Sequence, residues 1–289
     1  MTRGAPRCSF ARRVCVVSCS EKWLPYFFRR DKTGTLQLEA AVGEPSGMRV
    51  SCFECALRAR GLFKPVTPTE LSFINDIKRA HLTLPAGTEI IHADENSPEL
   101  YTLYSGWAFR FKTLPDSRRQ ILNFLLPGDL LGLQAAMLDA AQHGIETLTD
   151  VELCLLPRRK TWALFGQMPE LAFDVTWLGS REESYVDENL MSVGRRSAAE
   201  RIAALIVTLY KRADALGLVS KETFAFPLKQ QHIADALGLS LVHTNKTLAR
   251  LRRMGMFTQA NGSLTLTNPR VLERIAQHFD EEVALRPLI

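Results

Sequence analysis

Residues Pro227–Thr267 read PLKQQHIADALGLSLVHTNKTLARLRRMGMFTQANGSLTLT, and the parsing of this stretch decides the fold. Leu228, Ile233 and Leu237 recur at helical spacing. Gly238 follows, a residue type that tolerates the left-handed conformation ending a helix. Ser240 can cap a second helix by accepting from its first free N–H groups. That helix is expected to turn Leu241, Leu248 and Leu251 inward, with Gly255 ending it. His243, Asn245, Lys246, Ala249, Arg250, Arg252 and Arg253 take its other faces. Asn261-Gly262, between Met256–Ala260 and Ser263–Thr267, predicts a tight hairpin. Helix, turn, helix and β-wing together form a DNA-reading unit whose second helix enters the major groove.

A helix-turn-helix can also be a plain structural part, and basic residues on a helix usually face solvent. Here the basic cluster is confined to one helix, with Asn245 and Lys246 near its start. Lys donates to guanine O6/N7, and Asn bonds adenine bidentately. Lys229, Arg252 and Arg253 are better placed for phosphates, which set register without carrying sequence information. Gln230, Ser240 and Arg250 complete the expected DNA-contacting set. The partner implied is double-stranded DNA.

The chain has 289 residues, enough for two domains and a proper core. A hydrophobic content of 46% and a charged content of 23% are those of a globular protein. The net charge of +5 fits a local basic face without proving one. No apolar run approaches the roughly 20 residues of a membrane span. The six cysteines do not resemble a disulfide scaffold in so long a chain, which points to reduced thiols, metal ligation or redox sensing in a cytoplasmic protein. No nucleophile motif, phosphate loop or complete metal quartet argues for an enzyme.

The first fifty residues show no sustained period. Cys8, Cys15 and Cys19 are loosely spaced, and Met48 offers an alternative start. The apolar core Val14–Val17 is far shorter than a secretory segment of about 7–15 residues. Cys52-x-x-Cys55 then places two thiols at metal-ligand spacing, or in a dithiol switch. One such pair supplies only two ligands.

Thr67-x-x-Glu70 is a capping box opening a helix toward Arg79, with Leu71, Ile74 and Ile77 as its stripe. Short apolar runs follow, separated by Pro85-Ala86-Gly87, Asp94–Pro98, Ser105-Gly106, Pro115-Asp116 and Pro127-Gly128-Asp129. This spacing predicts a β-roll or barrel, closed by Thr147–Leu156. From Asp174 to Leu216 no proline interrupts the chain. Trp177, Leu178, Tyr185, Val186, Leu190, Met191 and Val193 supply an apolar side for pairing with a second copy. Gly194 marks an expected hinge, and Ser197-Ala198-Ala199-Glu200 is a capping box starting the next helix. Pro269 opens a last helix with Val271, Leu272 and Ile275 packed inward; the residues after Glu282 carry no signal.

The order PAGTEIIH (85–92), Y-x-L-x-S-G-W (101–107), R-x-ILNFLLPGDLLG (119–132) and GRRSAAERIA (194–203) resembles the Crp/Fnr superfamily of bacterial transcription regulators, from Cys52 to Ala276. The resemblance implies an α+β architecture: an N-terminal double-stranded β-roll of the cyclic-nucleotide-binding type (51–173), a long dimerisation helix (174–196) and a C-terminal winged helix-turn-helix (197–289). It also implies a homodimer and RNA polymerase as a partner. Val242, His243, Asn245 and Lys246 stand at the family's base-reading positions. Val242 and Lys246 replace a Glu and an Arg, which weakens bidentate discrimination because Lys is a point donor.

The cyclic-AMP branch carries a Glu and an Arg-Ser pair after the Pro-Gly-Asp turn. Residues 133–148 contain no Lys or Arg, which argues against a buried nucleotide phosphate. The oxygen-sensing branch holds an iron–sulfur cluster on N-terminal cysteines plus one in the roll. Cys52, Cys55 and Cys154 match three of those positions, while Gly61 falls where a further cysteine belongs, so a complete cluster would need Cys8, Cys15, Cys19 or a non-cysteine ligand. The cofactor is therefore open: an iron–sulfur or other metal site, thiol chemistry, haem at His81 or His92, a small effector, or none.

Overall fold

A computed structural model describes residues 26–30, 36–40, 50–97, 99–138, 140–277 and 284–289. Residues 1–43 and 44–289 form two units. In the first, where the sequence shows no sustained period, β1 (Tyr26–Arg30) pairs antiparallel with β2 (Leu36–Ala40). Cys8, Cys15, Cys19 and Met48 lie outside the described residues.

The second unit opens with a 3-10 turn, Cys52–Glu54, capped by the Ser51 hydroxyl. Helix α1 (Pro68–Ile77) carries the expected capping box: the Thr67 amide donates to Glu70 Oε2 at 2.7 Å, and the Glu70 amide donates to Thr67 Oγ1 at 3.3 Å. Eight strands follow: β3 (Ala80–Leu84), β4 (Glu89–Ile91), β5 (Glu99–Ser105), β6 (Ala108–Thr113), β7 (Arg119–Leu125), β8 (Leu130–Leu131), β9 (Gly144–Thr147) and β10 (Val151–Pro157). They form two four-stranded antiparallel sheets, β3-β10-β5-β8 and β4-β9-β6-β7, with α2 (Leu133–Leu138) between β8 and β9. The breakers read from the sequence fall at the ends of these strands or between them, Ser105 being the last residue of β5. Gly128 shows why: its φ is +91°, and a Cβ there would come within 2.5 Å of the Phe63 ring.

Helix α3 (Thr161–Gln167) leads into α4 (Pro169–Arg195), whose 27 residues span about 40 Å at 1.5 Å per residue. The chain leaves the helix at Arg196 (φ −81°, ψ 147°) and restarts as α5 (Ala198–Ala215) under the Ser197 capping box. The break is therefore at Arg196–Ser197 rather than at Gly194, which stays helical. Arg196 is held there by its ion pair with Glu188 at 2.6 Å.

The remaining elements are β11 (Thr223–Ala225), α6 (Gln230–Leu237), α7 (Leu241–Arg253), β12 (Phe257–Ala260), β13 (Ser263–Leu266) and α8 (Pro269–Ala276). Asn261 and Gly262 both take positive φ, +50° and +72°, in the two-residue turn joining β12 to β13. The wing has a third strand, since β11 pairs with β13. Leu272 packs inward as expected from α8, whereas Val271 is exposed. The α+β architecture read from the sequence is the one observed.

One apolar cluster runs from the roll into the C-terminal half, joining Trp107, Phe109, Phe124 and Leu126 to Ile202, Ile206, Leu209, Phe226 and Leu248. The two halves share a core rather than meeting across a wet interface. Residues 284–289 return to the roll, where Leu288 and Ile289 are buried. Each buried side chain of this kind contributes about 1.5–3 kcal/mol. No helix among the described residues is long and apolar enough to cross a membrane.

Candidate nucleic-acid interface

Helix α6 ends at Gly238 (φ +62°, ψ 36°), as its missing Cβ allows. Two residues later Ser240 caps α7, its Oγ accepting from the His243 amide at 3.2 Å. This geometry leaves the first turn of α7 open. Val242 is 64% exposed, and His243 and Lys246 are exposed beside it. Asn245 is half-buried, and its side-chain oxygen has no hydrogen-bond partner among the described residues. Arg250, Arg252 and Arg253 are exposed along the last turns, and Lys229 and Gln230 at the start of α6. All ten residues expected to contact DNA therefore belong to the helix-turn-helix, and eight of them are exposed side chains with polar or charged tips.

The inward face of α7 differs from the expected one. Leu248 and Leu251 are buried, but Leu241 is 41% exposed, and Thr244 and Thr247 take the inner positions instead. Leu241 is the first helical residue, where the chain has just left the turn and its side chain precedes the packed face. Thr247 satisfies its hydroxyl by donating to the His243 carbonyl at 2.9 Å.

The back of the reading unit is fastened to the roll and to α5 by side chains that sequence patterns did not single out. Gln120 on β7 donates to the Ala236 carbonyl at 2.9 Å, and Arg201 on α5 donates to the Leu237 carbonyl at 3.0 Å. Both serve carbonyls at the end of α6 that have no partner within the helix. The His232 ring packs 5.6 Å from Phe109, and Arg119 lies over Phe109 and Phe111 while pairing with Glu146 at 2.8 Å. Burial, then Arg119, pulls the His232 pKa down, consistent with a neutral ring whose Nδ1 accepts from the Lys229 amide at 3.1 Å.

Asp129, in the Pro-Gly-Asp turn, is 1% exposed and accepts from Arg212 on α5 and from Arg286, both at 2.7 Å, and from the Leu126 amide. Burial would raise its pKa; Arg212 and Arg286 outweigh that and hold the carboxyl below the usual range. The only local signal for this site is the Pro-Gly-Asp run itself.

The cysteines converge. Cys52 and Cys154 are buried and Cys55 half-buried, all as free thiols. Cys154 on β10 lies opposite His81 on β3, with Sγ 3.5 Å from Nε2. Burial pulls the Arg58 pKa down, and Cys52, Cys55 and Cys154 are near enough that their ionised forms would push it back up. Burial pushes the Cys154 thiol up, against the pull of Lys78. His92 pairs with Glu89 at 3.2 Å. The described residues by themselves do not complete a four-thiolate cluster: Gly61 stands open at the position read as a further ligand, two cations sit among the three thiols, and no three His, Cys, Asp or Glu residues among those described are arranged to hold a metal ion, while Cys8, Cys15 and Cys19 lie outside the described residues.

Residues 81–168 match the family model for the cyclic nucleotide-binding domain, and residues 200–275 match the Crp-like helix-turn-helix domain. The chain belongs to the Crp/Fnr family. It is a DNA-binding transcription regulator of the Crp/Fnr type. It is 29% identical over 236 residues to the nitrogen fixation regulation protein FixK of Bradyrhizobium diazoefficiens, covering 81% of this chain and 96% of that protein. It is 25% identical over 225 residues to the anaerobic regulatory protein of Pasteurella multocida, covering 78% and 82%. The fold is that of FixK2 from Bradyrhizobium japonicum, with a TM-score of 0.63 at 24% identity over 69% of this chain and 97% of that one.

Proposed function

We propose that this Crp/Fnr protein is a cytoplasmic, homodimeric transcription activator that responds to oxygen or redox state through its thiols, reads paired half-sites and engages RNA polymerase. The single observation that carries the reading is the exposed first turn of α7, Val242 to Lys246, flanked by Lys229, Arg252 and Arg253. Base-edge groups sit at the centre and phosphate groups at the rim. Pairing rests on α4. Leu178 is buried against the roll, while Phe173, Val186, Leu190 and Met191 are exposed on the helix, Leu190 at 70%. A two-fold dimer puts its recognition helices about 34–36 Å apart, one turn of DNA.

The sensing assignment draws on Cys52, Cys55 and Cys154 gathered at Arg58, and on relatives named for anaerobic regulation and nitrogen fixation. Gly61 favours a second reading, a regulator that binds DNA without any cofactor. No cation lies in residues 133–148 to meet a nucleotide phosphate. The activity is binding, not catalysis. Sedimentation and operator binding, measured with and without air, test the proposal, together with an absorbance spectrum of protein purified anaerobically. A colourless dimer with operator affinity that changes on thiol oxidation supports it. A visible chromophore replaces thiols by a cofactor; a monomer, or affinity indifferent to sequence, overturns it.

A further inference from the structure

Residues 284–289 follow α8 and return to the roll, where they occupy a seat of several independent parts. The Arg286 amide donates to the Leu62 carbonyl at 3.0 Å and the Lys64 amide donates to the Arg286 carbonyl at 2.8 Å, a parallel bridge with Phe63 between them. Arg58 donates to the Leu288 carbonyl at 2.9 Å, and Thr102 donates to the Ile289 carbonyl. The Ile289 side chain is buried in an apolar seat with Ile77, Leu100, Leu156, Leu164 and Val175, the cluster that also buries Cys52, and with them it walls a small pocket. The Arg286 guanidinium donates to Asp129 Oδ1 at 2.7 Å and to the Gly128 carbonyl at 2.9 Å. The other oxygen of Asp129 takes Arg212 of α5.

We propose that residues 284–289 are an intrachain strap: a peptide ligand carried by the chain itself, bound in a groove of the roll, that holds the DNA-binding half in register through the carboxylate Asp129 shares between Arg286 and Arg212. The groove recognises its occupant by main-chain pairing with Leu62 and Lys64, by one cation at Asp129 and by one branched side chain in the pocket. This is strand addition in the sense used by peptide-binding domains. With the strap seated, α5 and the roll share a buried anion and α7 is presented in one orientation. With it released, Arg212 holds the turn alone, the Ile289 pocket opens beside Cys52, and the DNA-binding half gains freedom that DNA binding must remove. Release therefore weakens operator binding.

The groove is also the place where a thiol signal would enter. Arg58, which holds the Leu288 carbonyl, lies among Cys52, Cys55 and Cys154, and the Ser51–Lys64 segment carries both the cysteine pair and the strap's main-chain partners. That link rests on the thiol reading above; the strap itself does not.

The test uses the full chain under excess reductant, so that thiol oxidation plays no part, and compares Arg286→Glu and Ile289→Asp with the unaltered protein. Three quantities are read: amide exchange at Lys64, the alkylation rate of Cys52 by iodoacetamide, and affinity for operator DNA. Both variants should exchange Lys64 faster and expose Cys52, with alkylation up by at least about tenfold. Operator affinity should fall by about tenfold, within the ordinary span of coupling between two sites. Should Ile289→Asp fail to fold, Arg286→Gln, uncharged and too short to reach Asp129, supplies the same readings. Unchanged Lys64 exchange and Cys52 protection in folded variants overturn the strap, as does faster exchange with unchanged or tighter operator binding. Air-dependence of the unaltered protein is scored separately, so failure of the thiol reading leaves the strap standing.

Discussion

Asp129 and Arg212 meet at 2.7 Å across the boundary between the roll and the DNA-binding half, with 1% and 10% of their side chains exposed. The same guanidinium donates to the Phe124 carbonyl at 2.7 Å and lies over the Tyr185 ring of α4, 4.7 Å from its centroid. One residue of α5 thus touches the last strand before the turn, the turn itself and the long helix. A movement of any of these reaches the helix that opens the reading unit.

Asp129→Asn keeps the size of the side chain and removes the carboxylate that Arg212 and Arg286 both bond, leaving Glu182 as a neighbouring acid. Breaking a buried pair in this way costs roughly 3–5 kcal/mol. Urea unfolding measures it, and a loss below about 1 kcal/mol, the range of ordinary surface changes, refutes the assignment. The carboxyl is held below its usual pKa in the folded state. Its contribution is therefore present above the unfolded value and is lost as pH falls through the folded one.

His143 provides a second pH dependence. It is 6% exposed, and burial, then Arg110 and Lys112, pulls its pKa from 6.5 down to about 4. Above 6.5 the ring is neutral folded or unfolded. Between 6.5 and 4 only the unfolded chain takes up the proton, so stability falls with pH across that window, by up to roughly 3 kcal/mol. In His143→Gln the slope of unfolding free energy against pH should flatten there; an unchanged slope assigns it to other groups.

Lys246→Ala and Arg252→Ala should separate base reading from backbone holding. Lys246 stands in the open first turns of α7, and its loss should relax preference at one base pair by about 1–3 kcal/mol. Arg252 stands at the far end, and its loss should weaken all sequences alike and reduce the salt slope by about 1. Competition binding against single-base operator variants at several salt concentrations reads both, and indistinguishable profiles would reject the division of roles.

Leu190→Glu places a charge on the exposed stripe of α4, away from the roll. The subunit should stay folded, with its thermal midpoint nearly unchanged, while sedimentation shifts to the monomer and operator affinity drops. A dimer that survives Leu190→Glu and Phe173→Glu together would move the interface off this helix.

Much of the architecture was legible because its determinants are near neighbours in the chain. The boxes at Thr67 and Ser197, the cap at Ser240, the left-handed Gly238 and the Asn261-Gly262 turn each depend on atoms a few residues apart, and each is found where the pattern put it. Local signals also misled where packing overrode them. Gly194 has the flexibility of a hinge, yet the helix continues through it and breaks at Arg196, where the pair with Glu188 and the following Ser197 cap fix the turn. Leu241 and Val271 have apolar side chains on helices and are nonetheless exposed, because hydrophobicity names a candidate for burial and only the neighbouring elements supply a surface to bury it.

The amino-acid order alone was sufficient for the two sheets, the long helix and the reading helix with its basic residues, since turn chemistry, periodicity and capping act over short range. It was silent on Arg286, which reaches an acceptor 157 residues away, on the seat of Leu288 and Ile289 in the roll, and on Arg58 beside the three cysteines that the resemblance had grouped. Those contacts join segments distant in the chain. They come into being only when folding brings the surfaces together, and a guanidinium or an isoleucine carries no mark of which distant partner it will meet.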